Sequence, residues 1–307
     1  MSPHETPGAF GGRPQDVLVS APEGGTLLVG EPDTASLIRA LEERLRALHK
    51  VVVAFSGGVD SGLLAHVAVC ALGSERVLAV TAVSPAVPAE EVEHCRMLAA
   101  EWGMRWCTVS TDELTREEYV RNDPLRCYHC KQALMDALEP LAEREGATVV
   151  LGVNLDDLDD HRPGQVAARE RGAVFPLVEA GFTKSAVRRC ARALGLSIWD
   201  KPAAPCLASR LPYGTTVSVE LLDRVGRAER ALRALGFSDV RVRHHGDIAR
   251  IEVPLRDLGR LLECRERVVE GLRAAGYRYV TADLEGLRSG NLNERAAVDI
   301  LSRGGAE

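Results

Sequence analysis

The chain has 307 residues, of which 46% are hydrophobic and 27% charged, with eight cysteines and a formal charge of −6. This composition is typical of a globular protein of one large or two ordinary domains, and it excludes collagen-like, coiled-coil and wholly disordered chains. No apolar run is long enough for a membrane span, and the first residues lack the regions of a signal peptide, so we expect a cytoplasmic protein. Its thiols should then be reduced and not joined in a disulfide scaffold.

The charge balance also limits the partners. Acidic residues outnumber basic ones by 44 to 38, which argues against a broad nucleic-acid surface, because a basic stripe supplies most of the affinity there. A local anion site stays compatible with this balance. We expect a small-molecule nucleotide substrate, no nucleic-acid or membrane partner, and a homo-oligomer.

Strands and helices alternate along the first two thirds of the chain. Residues 1–35 are rich in proline and glycine without a period, which indicates a flexible tail. A helical spacing begins at Ser36, and the all-apolar run 51–55 is typical of a strand buried on both faces. Further helices are predicted at 60–72, 88–102 and 126–144, and further strands at 77–83, 106–110 and 148–153. This order predicts an α/β fold with a doubly wound parallel sheet, in which ligands gather at the carboxyl ends of the strands.

The pattern changes beyond a helix predicted at 184–194. An irregular stretch with three prolines covers 200–216. A helix, two strands, a helix and a strand follow at 218–235, 239–244, 248–253, 256–274 and 277–282. This order predicts a small α+β unit. We therefore divide the chain into a tail at 1–35, a first domain at 36–205, a small α+β domain at 206–285 and a second tail at 286–307.

The most informative motif, Ser56-Gly57-Gly58-Val59-Asp60-Ser61, joins the first strand to a helix. Adjacent glycines let the backbone approach a ligand closely, and serine hydroxyls with the free N–H groups of the helix form a cradle suited to phosphate or pyrophosphate. Asp60 would repel a bare phosphate, so its presence indicates a Mg²⁺ ion or a structural helix cap. An ordinary capped turn is the alternative, which the full hexapeptide in this setting disfavours.

This hexapeptide resembles the PP-loop signature of ATP pyrophosphatases, which cleave ATP between the α and β phosphates and leave AMP on a substrate oxygen. Further motifs resemble the LarE family of sacrificial sulfur transferases. They are Arg126-Cys127-Tyr128-His129-Cys130-Lys131, Gly152-Val153-Asn154, Asp156-Asp157, Arg162-Pro163-Gly164, Pro205-Cys206-Leu207-Ala208-Ser209-Arg210 and Pro212-Tyr213-Gly214. The likeness extends over residues 36–285, so the first domain would be the PP-loop ATP pyrophosphatase domain.

The resemblance implies a step in making the nickel-pincer nucleotide cofactor of lactate racemase and related enzymes. ATP, with Mg²⁺, would adenylate a carboxylate of a pyridinium-3,5-biscarboxylic acid mononucleotide. The sulfur of Cys206 would attack the acyl adenylate, and the resulting thioester would break on the protein side. The product would keep the sulfur as a thiocarboxylate, and Cys206 would become dehydroalanine.

The residues around Cys206 are chemically suited to this reaction. Cys206 lies in a polar, proline-bounded loop near Lys201 and Arg210, whose charges would favour the thiolate. Glu229 is our candidate for the base that takes the α-proton of Cys206. A core position for Cys206 is the alternative, because most free cysteines are buried. The residues predicted to bind ATP are Ser56, Gly57, Gly58, Asp60, Ser61 and Arg210.

The CxxC pair of Cys127 and Cys130 has several interpretations. It is compatible with redox chemistry, with half of a zinc site, with packing at a helix start, or with a 4Fe-4S cluster shared with a third thiolate such as Cys206. Some members of the resembled family are thought to use such a cluster and to recycle sulfur. We expect the other cysteines in the core: Cys70, Cys95, Cys107, Cys190 and Cys264.

Arg241, Arg243 and Arg250 belong to a concentrated basic group in the small domain. Arg241 and Arg243 alternate along a predicted strand and so share one face, where two guanidinium groups would bind a substrate phosphate. Solvated strand charges are the alternative. The acidic loop with Asp156, Asp157, Asp159 and Asp160 is more simply a solvated segment, although one of these carboxylates at the sheet edge would assist Mg²⁺ or a ribose.

An ATP-dependent sulfur transferase acting on a small nucleotide is therefore the preferred function. A PP-loop tRNA thiolation enzyme is an alternative, which the negative charge and the lack of a recognisable RNA-binding module disfavour. Two others are an ammonia-dependent amide synthetase, in which Cys206 is incidental, and an adenine-nucleotide sensor without turnover.

Overall fold

A computed structural model of the chain describes residues 33–158, 163–202 and 204–288. All of these belong to one compact unit. The tails predicted at 1–35 and 286–307 lie almost entirely outside the described residues, as do Asp159 and Asp160 of the acidic loop. Within the described ranges, no helix has the length and apolar character needed to cross a membrane.

The first part of the chain forms a parallel sheet with the strand order β3-β2-β1-β4. Its strands are β1 (Val51–Ala54), β2 (Val77–Val83), β3 (Arg105–Ser110) and β4 (Thr148–Leu151). Its helices are α1 (Thr34–Leu48), α2 (Val59–Leu72), α3 (Ala89–Glu101), α4 (Glu117–Val120), α5 (Arg126–Glu145), α6 (Pro163–Glu170), α7 (Pro176–Glu179) and α8 (Lys184–Ala193). The predicted α/β fold with a parallel sheet is confirmed.

Helices cover this sheet on both faces because its central strand is apolar throughout. Side chains alternate along a strand, so Val51 and Val53 enter one core while Val52 enters the other. The first core includes Leu41 of α1 and the second includes Met135 of α5, both fully buried. This burial on two faces explains the unbroken apolar run in the sequence.

The second part forms a smaller sheet with the order β5-β6-β7, in which β5 and β6 are antiparallel and β6 and β7 parallel. Its elements are α9 (Val219–Ala234), β5 (Arg241–His245), β6 (Ile248–Glu252), α10 (Leu258–Glu263), α11 (Arg265–Ala274) and β7 (Tyr279–Ala282). The small mixed unit is thus confirmed, and it has its own core around Val242, Ile251 and Leu272. The boundary at residue 206 stays a prediction.

The single helix predicted at 256–274 is wrong, because the chain breaks at Cys264 between α10 and α11. The backbone there has φ −101° and ψ 22°, outside helical values. The Cys264 Sγ lies 3.1 Å from the carbonyl oxygen of Arg260, which the Cys264 N–H also contacts at 3.2 Å. A side chain that shares a backbone acceptor in this way competes with the regular helix pattern.

The proline-containing stretch predicted to be irregular connects the two parts of the fold. It contains one short 3-10 helix, Leu207–Arg210. Leu207 and Leu211 pack with Tyr119 of α4 and Leu222 of α9 in an apolar cluster. The Leu207 N–H also donates to the carbonyl of Ala86, just beyond β2, at 2.9 Å. The loop is therefore fixed at the carboxyl edge of the parallel sheet.

A glycine after β4 makes the turn at this edge possible, and its substitution tests the packing. A Cβ on Gly152 would lie 2.6 Å from the Ser61 N atom and 2.8 Å from the carbonyl carbon of Asp60. Because both are backbone atoms, we expect Gly152→Ala to lower the free energy of unfolding by about 1–3 kcal/mol and to weaken ATP binding.

Gly259→Ala is the matched control, since no atom lies within 4 Å of the added carbon. Thermal unfolding and ATP titration measure both variants. Equal melting temperatures for Gly152→Ala and the parent protein would show that the close approach is not a constraint.

Candidate functional site

The turn between β1 and α2 forms the predicted cradle. The Ser56 N–H donates to Ser61 Oγ at 3.2 Å, and the two serine hydroxyls lie 3.1 Å apart. Gly57 has φ +67°, and a Cβ there would lie 2.9 Å from the Sγ of Cys95. A side chain at this position is therefore excluded by both backbone conformation and space. The first N–H groups of a helix have no partner within it, so those of α2 are available to an anion at this turn.

Asp60, in the first turn of α2, is held by two other elements. Its Oδ1 accepts a hydrogen bond from Asn154 Nδ2 at 2.9 Å, and its Oδ2 forms an ion pair with the Lys184 ammonium group. Asn154 follows β4, and Lys184 begins α8. The ion pair thus places the Lys184 ammonium group, with its charge balanced by Asp60, beside the first turn of α2.

Sequence reasoning missed Lys184 as a site residue, although the sequence contains a signal. Thr183 caps α8 by accepting a hydrogen bond from Ala186, so Lys184 is the first residue of the helix. A cation at this position is unfavourable because it lies at the positive end of the helix dipole. Such a locally unfavourable residue indicates a role in tertiary structure or in binding.

The described residues do not fit a metal site formed by the protein alone. Within those ranges, no three His, Cys, Asp or Glu side chains converge as metal ligands would. The Asp60 carboxylate, predicted to bind Mg²⁺, is engaged by Asn154 and Lys184. Asp156 accepts from the Lys184 N–H at 2.8 Å and Asp157 from the Asn154 N–H at 3.2 Å, so both carboxylates stabilise the local backbone.

The loop that carries Cys206 is anchored close to this cradle. Lys201 Nζ donates to the carbonyl of Gly57 at 3.1 Å and to Glu91 at 2.8 Å. On the other side of Cys206, the backbone contact between Leu207 and Ala86 fixes the loop beyond β2. Cys206 is partly buried and precedes the 3-10 helix. The structure thus brings the predicted nucleophile and the predicted ATP loop to one edge of the sheet.

Lys201 and Arg210 were expected to favour the thiolate form of Cys206, but each of these cations is paired with a carboxylate. Lys201 pairs with Glu91. The Arg210 side chain is almost completely buried, and its Nε and Nη2 donate to Glu229 at 2.7 and 3.1 Å. Its Nη1 donates to the Pro205 carbonyl at 2.7 Å, so all three guanidinium nitrogens of the residue predicted to contact ATP are engaged inside the protein.

Glu229, our candidate base, lies at the centre of this buried network. Its Oε1 also accepts from the Val242 N–H at 3.1 Å, and its Oε2 accepts from Arg233 at 2.8 Å. The side chain is fully buried. Two guanidinium groups and a backbone N–H stabilise the carboxylate, so these contacts favour an anchoring role over proton abstraction.

The predicted phosphate-binding arginines share one face of the small sheet with Glu252. Arg243 is buried and donates to Glu252 at 3.0 and 2.9 Å and to the Ser209 carbonyl at 2.8 Å. Arg250 also donates to Glu252, at 3.2 Å. Arg241 is half-buried, and burial together with the charge of Arg243 lowers its pKa. A phosphate role stays a prediction for all three, and Arg243 is the most enclosed.

The CxxC pair lies beside Cys206. Cys130 and Cys206 pack partly buried in the apolar cluster around Tyr119, while Cys127 is exposed on the first turn of α5. Burial, followed by the charges of Cys206 and of the buried Glu113, raises the pKa of Cys130 to about 12. Cys130 is therefore a neutral thiol at physiological pH, next to the proposed nucleophile.

The other cysteines follow the core expectation only in part. Cys95 and Cys190 are buried, as predicted, and Cys107 and Cys264 are partly buried. The expectation is wrong for Cys70, which is exposed on the last turns of α2 and lies 3.7 Å from His66 Nε2.

Comparison with known proteins identifies relatives of this chain. The family model of NAD synthase matches residues 34–123, which include the cradle. The chain is 41% identical over 261 residues to the pyridinium-3,5-bisthiocarboxylic acid mononucleotide synthase of Lactiplantibacillus plantarum, covering 85% of this chain and 93% of that protein. It is 45% identical over 261 residues to an uncharacterised Synechocystis protein, covering 84% and 97%, respectively.

The fold and the cradle define an ATP-using enzyme with a PP-loop domain of the NAD synthase type. Within that class, the chain belongs to the LarE family of pyridinium-3,5-bisthiocarboxylic acid mononucleotide synthases. The family predicted from the motifs is confirmed.

Lys184 should contribute directly to ATP binding. We expect Lys184→Met to raise the KM for ATP roughly ten- to hundredfold, because a charge-assisted hydrogen bond contributes about 1.5–3 kcal/mol. Pyrophosphate release at varied ATP concentration measures this. Lys50→Met is the control, since Lys50 pairs with Glu145 at the amino end of the sheet. An unchanged KM in Lys184→Met would show that Lys184 only neutralises Asp60.

Glu229→Gln tests the anchoring role. The substitution leaves Arg210 buried without a carboxylate, which should lower the free energy of unfolding by about 3–5 kcal/mol. Urea unfolding measures it, with the exposed Glu220→Gln on the same helix as control. If Glu229→Gln kept full stability and lost only sulfur release, the residue would act as the base.

Proposed function

We propose that the chain adenylates the carboxylates of a pyridinium-3,5-biscarboxylic acid mononucleotide and transfers the sulfur of Cys206 to them, which gives the thiocarboxylates of the nickel-pincer nucleotide. The relative from Lactiplantibacillus plantarum is named for the corresponding bisthiocarboxylic acid product. The observation that carries the proposal is the placement of Cys206. Its loop is tied to Gly57 through Lys201 and to Ala86 through Leu207, beside the anion cradle.

The chain's own residues account for the order of events. The cradle of Ser56 to Ser61 and the Lys184 ammonium group would hold the phosphates of ATP while the substrate carboxylate attacks the α phosphate and pyrophosphate leaves. The acyl adenylate is then an electrophile with a good leaving group, and the Cys206 sulfur is the nucleophile. The loop is anchored before Cys206 by the Arg210 side chain and after it by the backbone contact of Leu207, and we expect these contacts to hold the thiol at this edge.

The sulfur of the product has two candidate sources, Cys206 itself and an iron–sulfur cluster. Cys206 is consumed if the thioester breaks between its Cβ and the sulfur. A 4Fe-4S cluster on Cys127, Cys130 and Cys206 would instead supply sulfide repeatedly and spare the protein. The proposal favours consumption of Cys206, because the loop that carries this cysteine is fixed at the edge of the sheet where the cradle lies.

Intact-mass measurement decides between these sources. After anaerobic incubation with ATP, Mg²⁺ and substrate, we expect protein that is lighter by the elements of H₂S, with the loss located at Cys206 by peptide mapping. Cys206→Ala should still release pyrophosphate and form no thiocarboxylate. Cys264→Ala is the control, because Cys264 lies in the small domain between α10 and α11.

Other outcomes are informative. Repeated turnover at unchanged protein mass, with iron and labile sulfide that are lost in Cys127→Ser, would replace Cys206 by the cluster as the sulfur source. An amide product formed from ammonia, or thiolation of tRNA, would overturn the proposed substrate reaction.

A further inference from the structure

We infer that Arg126 supplies the fixed positive charge that stabilises the Cys206 sulfur during its transfer, as a positioning residue for the reaction. This inference rests on the proposed function. It assigns to Arg126 the role that sequence reasoning gave to Lys201 and Arg210.

Arg126 is placed against the loop that carries the nucleophile. It is the first residue of α5, its N-cap residue makes no side-chain cap hydrogen bond, and it is only 6% exposed. Its Nη1 donates to Asn122 Oδ1 at 2.6 Å and to the Ala208 carbonyl at 2.8 Å. Ala208 is two residues beyond Cys206. A cation is unfavourable at the start of a helix, so local structure does not explain this arginine.

The partners of Arg126 are neutral, which distinguishes it from the other buried arginines. Arg210 and Arg243 each form a two-point ion pair with a buried glutamate. Within the described ranges, by contrast, Arg126 contacts two neutral oxygens and the ring of Tyr213 at 5.8 Å, and no carboxylate lies within ion-pair distance. Buried charges are normally paired, because desolvation is costly.

The electrostatics of Arg126 point to sulfur as the missing partner. Burial alone would lower the pKa of Arg126, but the charges of Cys206, Cys127, Tyr119 and Tyr213 together raise that pKa. The buried carboxylate Glu113 acts on Cys130 and Tyr119 and makes no ion pair with Arg126. The guanidinium group is fixed on the loop that carries the sulfur, where a positive charge stabilises negative charge that develops nearby.

Negative charge appears on the sulfur twice in the proposed reaction. In the first step the Cys206 thiol loses its proton to solvent and its sulfur forms a bond to the acyl carbon, while the bond from this carbon to the AMP oxygen breaks with its electron pair leaving on AMP. In the second step a base takes the α-proton of Cys206, and the Cβ–S bond breaks. Its electron pair stays on the sulfur of the thiocarboxylate, while Cys206 becomes dehydroalanine. A fixed guanidinium beside the sulfur stabilises the anion in both steps.

The test separates adenylation from sulfur transfer in one preparation. Pyrophosphate release reports adenylation, and the fraction of protein lighter by H₂S reports transfer. We expect Arg126→Gln to keep adenylation and to lower the ratio of transfer to adenylation roughly a hundredfold, comparable to the loss of one preorganised donor to a developing anion. Arg126→Lys, which keeps the charge and loses the planar fork, should recover most of this ratio.

The exposed Arg144→Gln, in the last turn of the same helix, is the matched control and should leave the ratio unchanged. Because the ratio is taken within one preparation, it does not depend on the fraction of molecules that fold. If Arg126→Gln cannot be isolated folded, Arg126→Lys decides alone: a ratio near that of the parent supports the charge, and a ratio lowered a hundredfold overturns it.

Two results would overturn the inference. A parallel loss of adenylation and transfer in Arg126→Gln would mean that Arg126 only holds Asn122 and the loop together. An unchanged ratio in that variant would mean that the charge is not used. Failure of the proposed function is distinct, because the parent protein would then show no loss of H₂S at Cys206, whether or not thiocarboxylate forms.

Discussion

The buried ion pair between Arg210 and Glu229 is the interaction on which the arrangement of the two sheets depends. Arg210 reaches back to the carbonyls of Pro205 and Cys206, while Glu229 reaches forward to the Val242 N–H of β5. One pair of side chains thereby connects the nucleophile's loop, α9 and the small sheet. Removing one partner of such a pair leaves an uncompensated buried charge, so the two side chains stabilise the fold only together.

The site itself follows from the topology of the parallel sheet. In this sheet the segments after β1, β2 and β4 all reach the carboxyl edge, and they supply the cradle, the Ala86 contact and Asn154, respectively. The Cys206 loop arrives at the same edge from much farther along the chain. The fold therefore forms the predicted anion site by local backbone geometry and adds the predicted nucleophile by long-range anchoring.

The sequence was sufficient to predict the elements with strong periodicity and the cradle, because both are encoded by neighbouring residues. The prediction failed where the role of a side chain depends on partners that are distant in the sequence. The sequence indicates that Arg210 and Arg243 are available to bind a ligand. In the structure, each forms an ion pair with a glutamate that is distant in the sequence. Lys184 and Arg126 were overlooked for the converse reason, although both stand at helix starts, where a cation is locally unfavourable.

The anchoring of the Cys206 loop has a consequence for the life of the protein. The contacts that fix Pro205, Cys206 and Leu207 use backbone atoms, and the Cys206 side chain contributes no hydrogen bond to them. Under the proposed function, a chain that has given up its sulfur would therefore keep these hydrogen bonds, although it loses the packing of the sulfur in the apolar cluster. Under the proposed function, each molecule serves once and then persists as an intact, inactive protein, so a cell needs synthesis in proportion to product and a disposal route that recognises native chains.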